Sequence, residues 1–199
     1  PAFAGRARDL IGGQKDWHAT MVAGHAAGNY LEETDGNGFI YGLGTAPAAR
    51  ILSQDMMQAA TFLCRQTVRE SGGPAIQNNS WGKGTQSPMD YGSEEALYDM
   101  LVRNSDPDGS TPTPLTICFS SGNQGARGLT RPKAAKNLIV TGNSESFRPD
   151  IGRDGSDDIR EVYSGANPSS HGNCGDGRFR PHVVAPGEWT ASASYDCRP

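Results

Sequence analysis

Long apolar runs are missing from this 199-residue chain. None approaches the roughly 18 consecutive apolar residues that a membrane-spanning helix requires, so a membrane is not an expected partner. Basic runs are missing as well. The 18 Lys and Arg are outnumbered by 22 Asp and Glu, for a formal net charge of −4, and a mildly acidic chain without a basic stripe does not suit nucleic acid or an anionic lipid surface. No Cys-x-x-Cys pair and no Cys/His cluster is present, which argues against the common zinc sites. The Gly-x-Ser-x-Gly elbow is absent, and Gly42-Leu43-Gly44 leads into a turn and then a strand rather than a helix. Neither an elbow-type α/β hydrolase nor a phosphate-cradling loop is therefore supported. The chain opens at Pro1 without an initiator methionine or a charged-then-apolar leader, and reads as a processed or trimmed piece of something longer.

What is present is glycine and proline. With 26 Gly, 13 Pro and only 35% hydrophobic residues, the chain is rich in turns, yet short of the composition at which disorder is expected. Its length suffices for one domain with a sizeable core. Short apolar runs at 50–53, 75–78, 115–120, 138–141 and 182–185 are continuous rather than alternating, as in strands buried on both faces. Between the first two lies a helical stretch, 54–70, with Met57, Thr61, Cys64 and Val68 on one stripe, ended by Gly72-Gly73-Pro74. Between the second and third, Ser93 can cap a helix carrying Ala96, Leu97, Met100 and Leu101, with Glu94 and Glu95 in its first turn. Strand and helix alternating at this spacing predict a parallel α/β sheet. Segments 105–113 and 150–158 read as polar surface loops, and Cys64 and Cys118 as buried thiols.

Open α/β sheets place their chemistry in loops at the carboxyl ends of strands. Three loops of small polar residues sit there: Asn78-Asn79-Ser80-Trp81-Gly82, Ser120-Ser121-Gly122-Asn123-Gln124-Gly125 and Ala185-Pro186-Gly187. They predict a binding cleft. A further helix opens at Trp17-His18, where a histidine is a capping or surface residue or else a base; Trp81 is either a packing residue or a cleft wall.

Together these segments resemble the subtilisin-like serine proteases, the subtilases of peptidase family S8. His18-x-Thr20-x-Val22-Ala23-Gly24 resembles the family's catalytic-histidine motif, and Gly44-Thr45-Ala46-Pro47 its Gly-x-Ala-Pro turn. Asn79-Ser80-Trp81-Gly82 resembles the strand end that lines the substrate cleft. Ser121-Gly122-Asn123-Gln124-Gly125 resembles the loop holding the oxyanion-hole asparagine. Asn137-Leu138-Ile139-Val140-Thr141-Gly142 resembles the next strand, and Gly177 through Gly187 the segment shortly before the nucleophile. Segments 143–149 and 163–168 look closest to larger bacterial subtilases with an extra C-terminal β-rich domain. The motifs follow the family's order across nearly the whole chain.

The resemblance implies a doubly wound parallel sheet with helices on both faces, incomplete at both ends, so that residues 1–199 are the central part of one catalytic domain. It implies a serine endopeptidase acting on polypeptide, with His18 as base, Asn123 as oxyanion donor, and Asn79, Ser80, Trp81, Gly82, Ser120, Ser121 and Gly122 binding substrate. A neutral imidazole suits proton abstraction near neutral pH, and an amide aimed at a developing oxyanion is a strong contributor to turnover. Departures are Ala19 and Met21, where the family has glycine and histidine, and His182 in place of an aspartate, read as structural like His25; His171 is read as solvent-facing. No match to the family's Asp-[Ser/Thr]-Gly motif is found, since Asp9 and Asp16 lack its setting, and Ser192 and Ser194 lack that of the nucleophile. The chain alone is therefore expected to be inactive, with the remainder of the same protease or a complementary chain as partner. A catalytically dead peptide-binding module is the alternative. The family also implies secretion, in which case Cys174 and Cys197 can pair, and structural calcium at Glu32, Asp35 and Asn37, or more weakly around Asp106 and Asp108.

Overall fold

The computed structural model describes residues 2–12, 16–146, 168–188 and 190–193. Segment 150–158, Ser194 and Cys197 lie outside them, as do 147–149 and 163–167. The chain divides into two compact units, Pro1–Gln58 with Thr190–Pro199, and Ala59–Trp189.

The first unit contains β1 (Ala7–Asp9), α1 (Trp17–Ala27), β2 (Asn29–Thr34), β3 (Ile40–Leu43) and β4 (Ile51–Ser53). β1 runs parallel to β4, with Ala7 opposite Ile51 and Asp9 opposite Ser53. β2 and β3 form an antiparallel hairpin. Helix α1 starts where Asp16 accepts the Ala19 N–H at 2.7 Å, a carboxylate cap on orphan donors. At its other end the carbonyls of His25 and Ala26 accept N–H groups of Thr45 and Ala46 at 3.0 and 2.8 Å. The Gly-x-Ala-Pro turn thus closes the helix's C-terminus. Gly44 is required there, since a Cβ would stand 2.6 Å from both the Gly24 carbonyl oxygen and the Gly28 nitrogen. Arg6 joins the pieces, donating to Ala49 O at 2.6 Å and to Ala27 O at 3.0 Å.

The second unit holds α2 (Ala60–Ser71), β5 (Ile76–Asn79), β6 (Lys83–Gln86), α3 (Ser93–Arg103), β7 (Thr116–Ser120), β8 (Leu129–Arg131), β9 (Ile139–Ser144), β10 (Gly172–Asn173), β11 (Phe179–Arg180) and β12 (Val183–Pro186). Strands β12, β9, β7 and β5 lie side by side in that order, all parallel. This is the α/β sheet that the apolar runs predict, within a residue or so at each strand start. Antiparallel pairs β6–β8 and β10–β11 accompany it.

One face of this sheet carries the core. Ile117, Phe119 and Val140 point into a cluster with Cys64 of α2 and Tyr98 and Leu101 of α3. Gln77, on the same face, has its amide oxygen 3.4 Å from the Cys64 thiol. Burial pushes that thiol up to about 12. The other face, given by the register pairs Ile76–Thr116, Cys118–Ile139 and Thr141–Val183, is open. Ile76 is 69% exposed, Ile139 41% and Val183 52%. Both helices of this unit therefore cover a single face, and Cys118 is only half-buried.

Three local expectations change. Helix α2 begins at Ala60 rather than 54, because Asp55 folds the preceding residues into a turn, accepting from Met57 N at 2.9 Å and Gln58 Nε2 at 3.3 Å. Met57 is accordingly exposed, and the buried stripe is Leu63, Cys64 and Thr67. The N-cap of α3 is Gly92, not Ser93: Glu95 reaches back to its N–H at 2.9 Å and is itself ion-paired to Arg131. Loop 105–113 is anchored at its start, with Ser105 fully buried and donating to Leu101 O at 2.7 Å.

Candidate active site

His18 is the second residue of α1, half-buried, with the edge of its ring against Trp17 at a centroid distance of 5.6 Å. Among the described residues its imidazole makes no hydrogen bond. Beside it Thr20 Oγ1 donates to the Asp16 carbonyl at 2.8 Å, while the Asp16 carboxylate is engaged in capping the helix through Ala19 N–H. One turn further along, Gly24 is packed so tightly under Ser192 Oγ and Ala193 that no side chain fits, and Ser192 Oγ donates to Met21 O at 2.6 Å. Ser192 therefore holds the segment 190–193 on the helix. His25, the structural histidine, stands 3.2 Å from Thr190 Oγ1, and burial pulls its pKa down.

The remaining candidates lie in the second unit, at the carboxyl ends of β5 and β7. Asn79 is buried; its amide donates to Cys118 O at 3.3 Å and accepts the Trp81 indole N–H at 3.1 Å. Trp81 packs edge-on against Phe119 at 5.0 Å, which makes it the outer wall of the core. Ser80 and Ser120 are half-buried and Gly82 is exposed. Ser121 N donates to Thr141 O at 2.9 Å, while its buried hydroxyl has no partner among the described residues.

Gly122 has φ +109°, and a Cβ there would lie 2.9 Å from Ser170 Oγ and 3.3 Å from Thr130 Oγ1. Glycine is thus demanded twice, by conformation and by space. Asn123 follows it, exposed, with no hydrogen-bond partner among the described residues. Ser170, fully buried, fixes the loop: its hydroxyl accepts Gln124 N–H at 3.0 Å and its own N–H donates to Gly122 O at 2.8 Å. The loop so held presents an exposed amide at the end of a parallel strand, without a hydrogen-bond partner among the described residues.

Sequence reasoning missed the residues beneath these loops, Thr130, Lys133 and Ser170. Nothing in their local pattern marks them, because each acts through residues distant in the chain. His182 is structural as expected, its Nδ1 accepting Val140 N–H at 3.0 Å; burial first, then Arg180 and Arg178, lower its pKa. His171 is half-buried rather than solvent-facing, its Nδ1 3.0 Å from Ser169 O. Cys174 is buried in a small cluster with Met89, Leu129 and Ala134, and its suggested partner Cys197 is outside the described residues.

The carboxylates of the acidic loops have protein partners. Both Asp35 carboxylate oxygens accept hydrogen bonds: Oδ1 from Asn37 N and Phe39 N at 2.9 and 3.0 Å, and Oδ2 from Tyr41 OH at 2.7 Å. Glu32 accepts from Tyr30 OH at 3.1 Å, and Asn37 lies exposed on the turn. Asp35 is the acceptor that folds the β2–β3 hairpin. Asp106 and Asp108 take guanidiniums: Arg69 Nε to Asp106 at 2.6 Å, and Arg65 Nη1 to Asp108 at 2.8 Å. Among the described residues, no group of three or more His, Cys, Asp and Glu is placed to hold a metal ion.

A parallel sheet whose strand ends carry a glycine-asparagine loop beside a small-residue strand end defines an α/β protein with small polar loops at the carboxyl edge of its sheet. The chain belongs to the subtilase family, whose sequence profile matches residues 9–198. It is similar in fold to sphericase (TM-score 0.60, 19% identity, covering 98% of this chain and 64% of that one). The prenylagaramide maturation protease PagA (0.58, 18%, 98% and 60%) and an S41 psychrophilic protease (0.60, 20%, 98% and 64%) are similar likewise. The chain spans somewhat less than two thirds of the length of these structures. Among curated proteins none matches it. The family is one of serine proteases, which act on polypeptides.

Proposed function

We propose that the chain is part of the catalytic domain of a subtilisin-like serine endopeptidase, with His18 as the general base and Asn123 as the oxyanion donor. The observation that carries this reading, together with family membership, is the loop at Gly122-Asn123, pinned by Ser170 and leaving its amide uncommitted. In such a reaction the neutral imidazole accepts the proton of a serine hydroxyl as it attacks the peptide carbonyl, and later returns it to the leaving amine. The Asn123 amide donates to the oxygen that gains charge, a contact whose loss typically costs about 10²–10³ in turnover. The strand end Asn79-Ser80-Trp81-Gly82 and the facing Ser120-Ser121-Gly122 would take the substrate in extended form by strand addition.

The serine and aspartate of such a triad have no motif match in these residues. In this reading they come with the polypeptide that covers the open sheet face around Ile76, Ile139 and Val183, from the same protease or a complementary chain. An extracellular protein accords with the family; no helix among the described residues is long and apolar enough to cross a membrane.

The test is His18→Ala in the longest natural form of the protein, with casein hydrolysis and fluorophosphonate labelling as readouts. Wild type is expected to cleave casein and take the label, and the variant to lose casein cleavage. Activity retained in the variant would remove His18 from its role. A wild type that neither cleaves nor labels, yet binds peptide, would instead be the catalytically dead binding module.

A further inference from the structure

Lysine is rarely found without solvent exposure, yet Lys133 is wholly buried in the turn between β8 and β9. Its Nζ donates to Trp81 O at 2.7 Å, to Thr130 Oγ1 at 2.6 Å and to Arg131 O at 3.4 Å. It also stands 5.4 Å from the centre of the Phe119 ring. Among the described residues no carboxylate pairs with it. A Cβ at Gly82 would collide with both Lys133 Nζ and Thr130 Oγ1, and a Cβ at Gly122 would press on the same Thr130 oxygen. The turn itself is gripped from its far side. The carbonyl of Lys133 accepts Arg180 Nε at 3.1 Å, that of Ala134 accepts Arg178 Nη2 at 2.7 Å, and that of Ala135 accepts Arg180 Nη2 at 2.9 Å.

We propose that Lys133 is a positioning residue of the substrate cleft: its ammonium holds the Trp81 carbonyl and fills the space beneath Gly82, so the turn gripped by Arg178 and Arg180 sets where the cleft strand stands. This rests on the reading of Asn79 to Gly82 as the peptide-binding strand. Three acceptors surround an amine that offers three donors only while protonated. Burial pulls that ammonium down to about 7, with Glu94 opposing. Charged groups around the turn have partners of their own: Glu94 with Lys83, Glu95 with Arg131, Lys136 over the Tyr91 ring, Asp176 with Arg178, and the two arginines with the turn carbonyls. The hold on Trp81 therefore changes with the protonation of Lys133 itself.

The test is ¹⁹F NMR of the longest natural form labelled with 5-fluorotryptophan, the Trp81 signal being assigned by its loss in Trp81→Phe. The Trp81 signal is expected to titrate near neutral pH in wild type and to stay flat in Lys133→Met. Thr130→Val, which removes one acceptor of the ammonium and keeps the lysine, should move the midpoint to lower pH. A Trp81 signal that does not move between about pH 5 and 9, or that titrates identically in both variants, overturns the proposal. These spectra need no protease activity, so they stand or fall apart from the catalytic reading. Given that activity, Lys133→Met should raise KM for peptide severalfold while kcat changes less than twofold; equal losses in folding and kcat with KM unchanged would mark a merely structural lysine.

Discussion

Single side chains changed their meaning once their neighbours were known. Asp35 and Asp106 look in sequence like cation ligands, because carboxylates clustered in a glycine-rich turn suit a hard ion; in the fold, hairpin donors reach Asp35 and a guanidinium from α2 reaches Asp106. Lys133 is the reverse case, an ordinary lysine that becomes a buried donor. Its pKa makes a prediction. Because the ammonium is pulled from 10.5 to about 7 on folding, the unfolded chain binds a proton above pH 7 that the folded chain does not. Stability contributed by this group therefore rises with pH through that window. Cys64 opposes it at the alkaline end: the thiol is pushed from 9.0 up to about 12, so above pH 9 the folded form keeps a proton that the unfolded form loses, and stability falls. From pH 7 to pH 9 urea unfolding should show a gain on the order of 2 to 3 kcal/mol from Lys133, absent in Lys133→Met.

Helices and strands followed their local signals where the signal was periodic. The runs at 75–78, 115–120, 138–141 and 182–185 became β5, β7, β9 and β12, because continuous apolar sequence has few other homes in a small α/β protein. Boundaries moved where a side chain competed with the backbone, as Asp55 did before α2 and Glu95 did at Gly92. α2 is linked to the loop after α3 by the Arg69–Asp106 and Arg65–Asp108 pairs, which no periodicity encodes. The Arg69 hydrogen bonds hold the Asp106 carboxyl below the usual carboxylate range. Its contribution is present above the ordinary carboxyl pKa and lost as pH falls through the lowered one. Asp106→Asn should therefore lower the urea midpoint at neutral pH, and the gap from wild type should close in acid. A gap that is the same at both pH values would mean the pair does not act through charge.

At the scale of the whole molecule the decisive feature is the sheet face that the described residues leave exposed. Exposed Val183 on β12, Ile139 on β9 and Ile76 on β5, with half-buried Cys118 of β7 between the last two, make an apolar surface of the kind soluble monomers cover. Purified alone, the 199-residue chain should bind anilinonaphthalene sulfonate in its folded state and associate as concentration rises, and Ile139→Ser should weaken both. A folded monomer that leaves the dye dark would remove the covering segment from the functional reading.

The order of short apolar runs and small-residue loops was determined by sequence alone, and with it the family and the identity of His18, Gly122 and Asn123 as candidates. Those motifs are local: a glycine that must reach φ +109° or an amide next to it can be recognised from its immediate neighbours. Tertiary structure decided which polar groups are already satisfied. The pinning of Asn123's loop by Ser170, the pairing of Asp106 with Arg69, and the placing of Lys133 beneath Trp81 all join residues far apart in the chain. Hydrogen-bond partners at such separations are chosen by packing, which a linear pattern does not record.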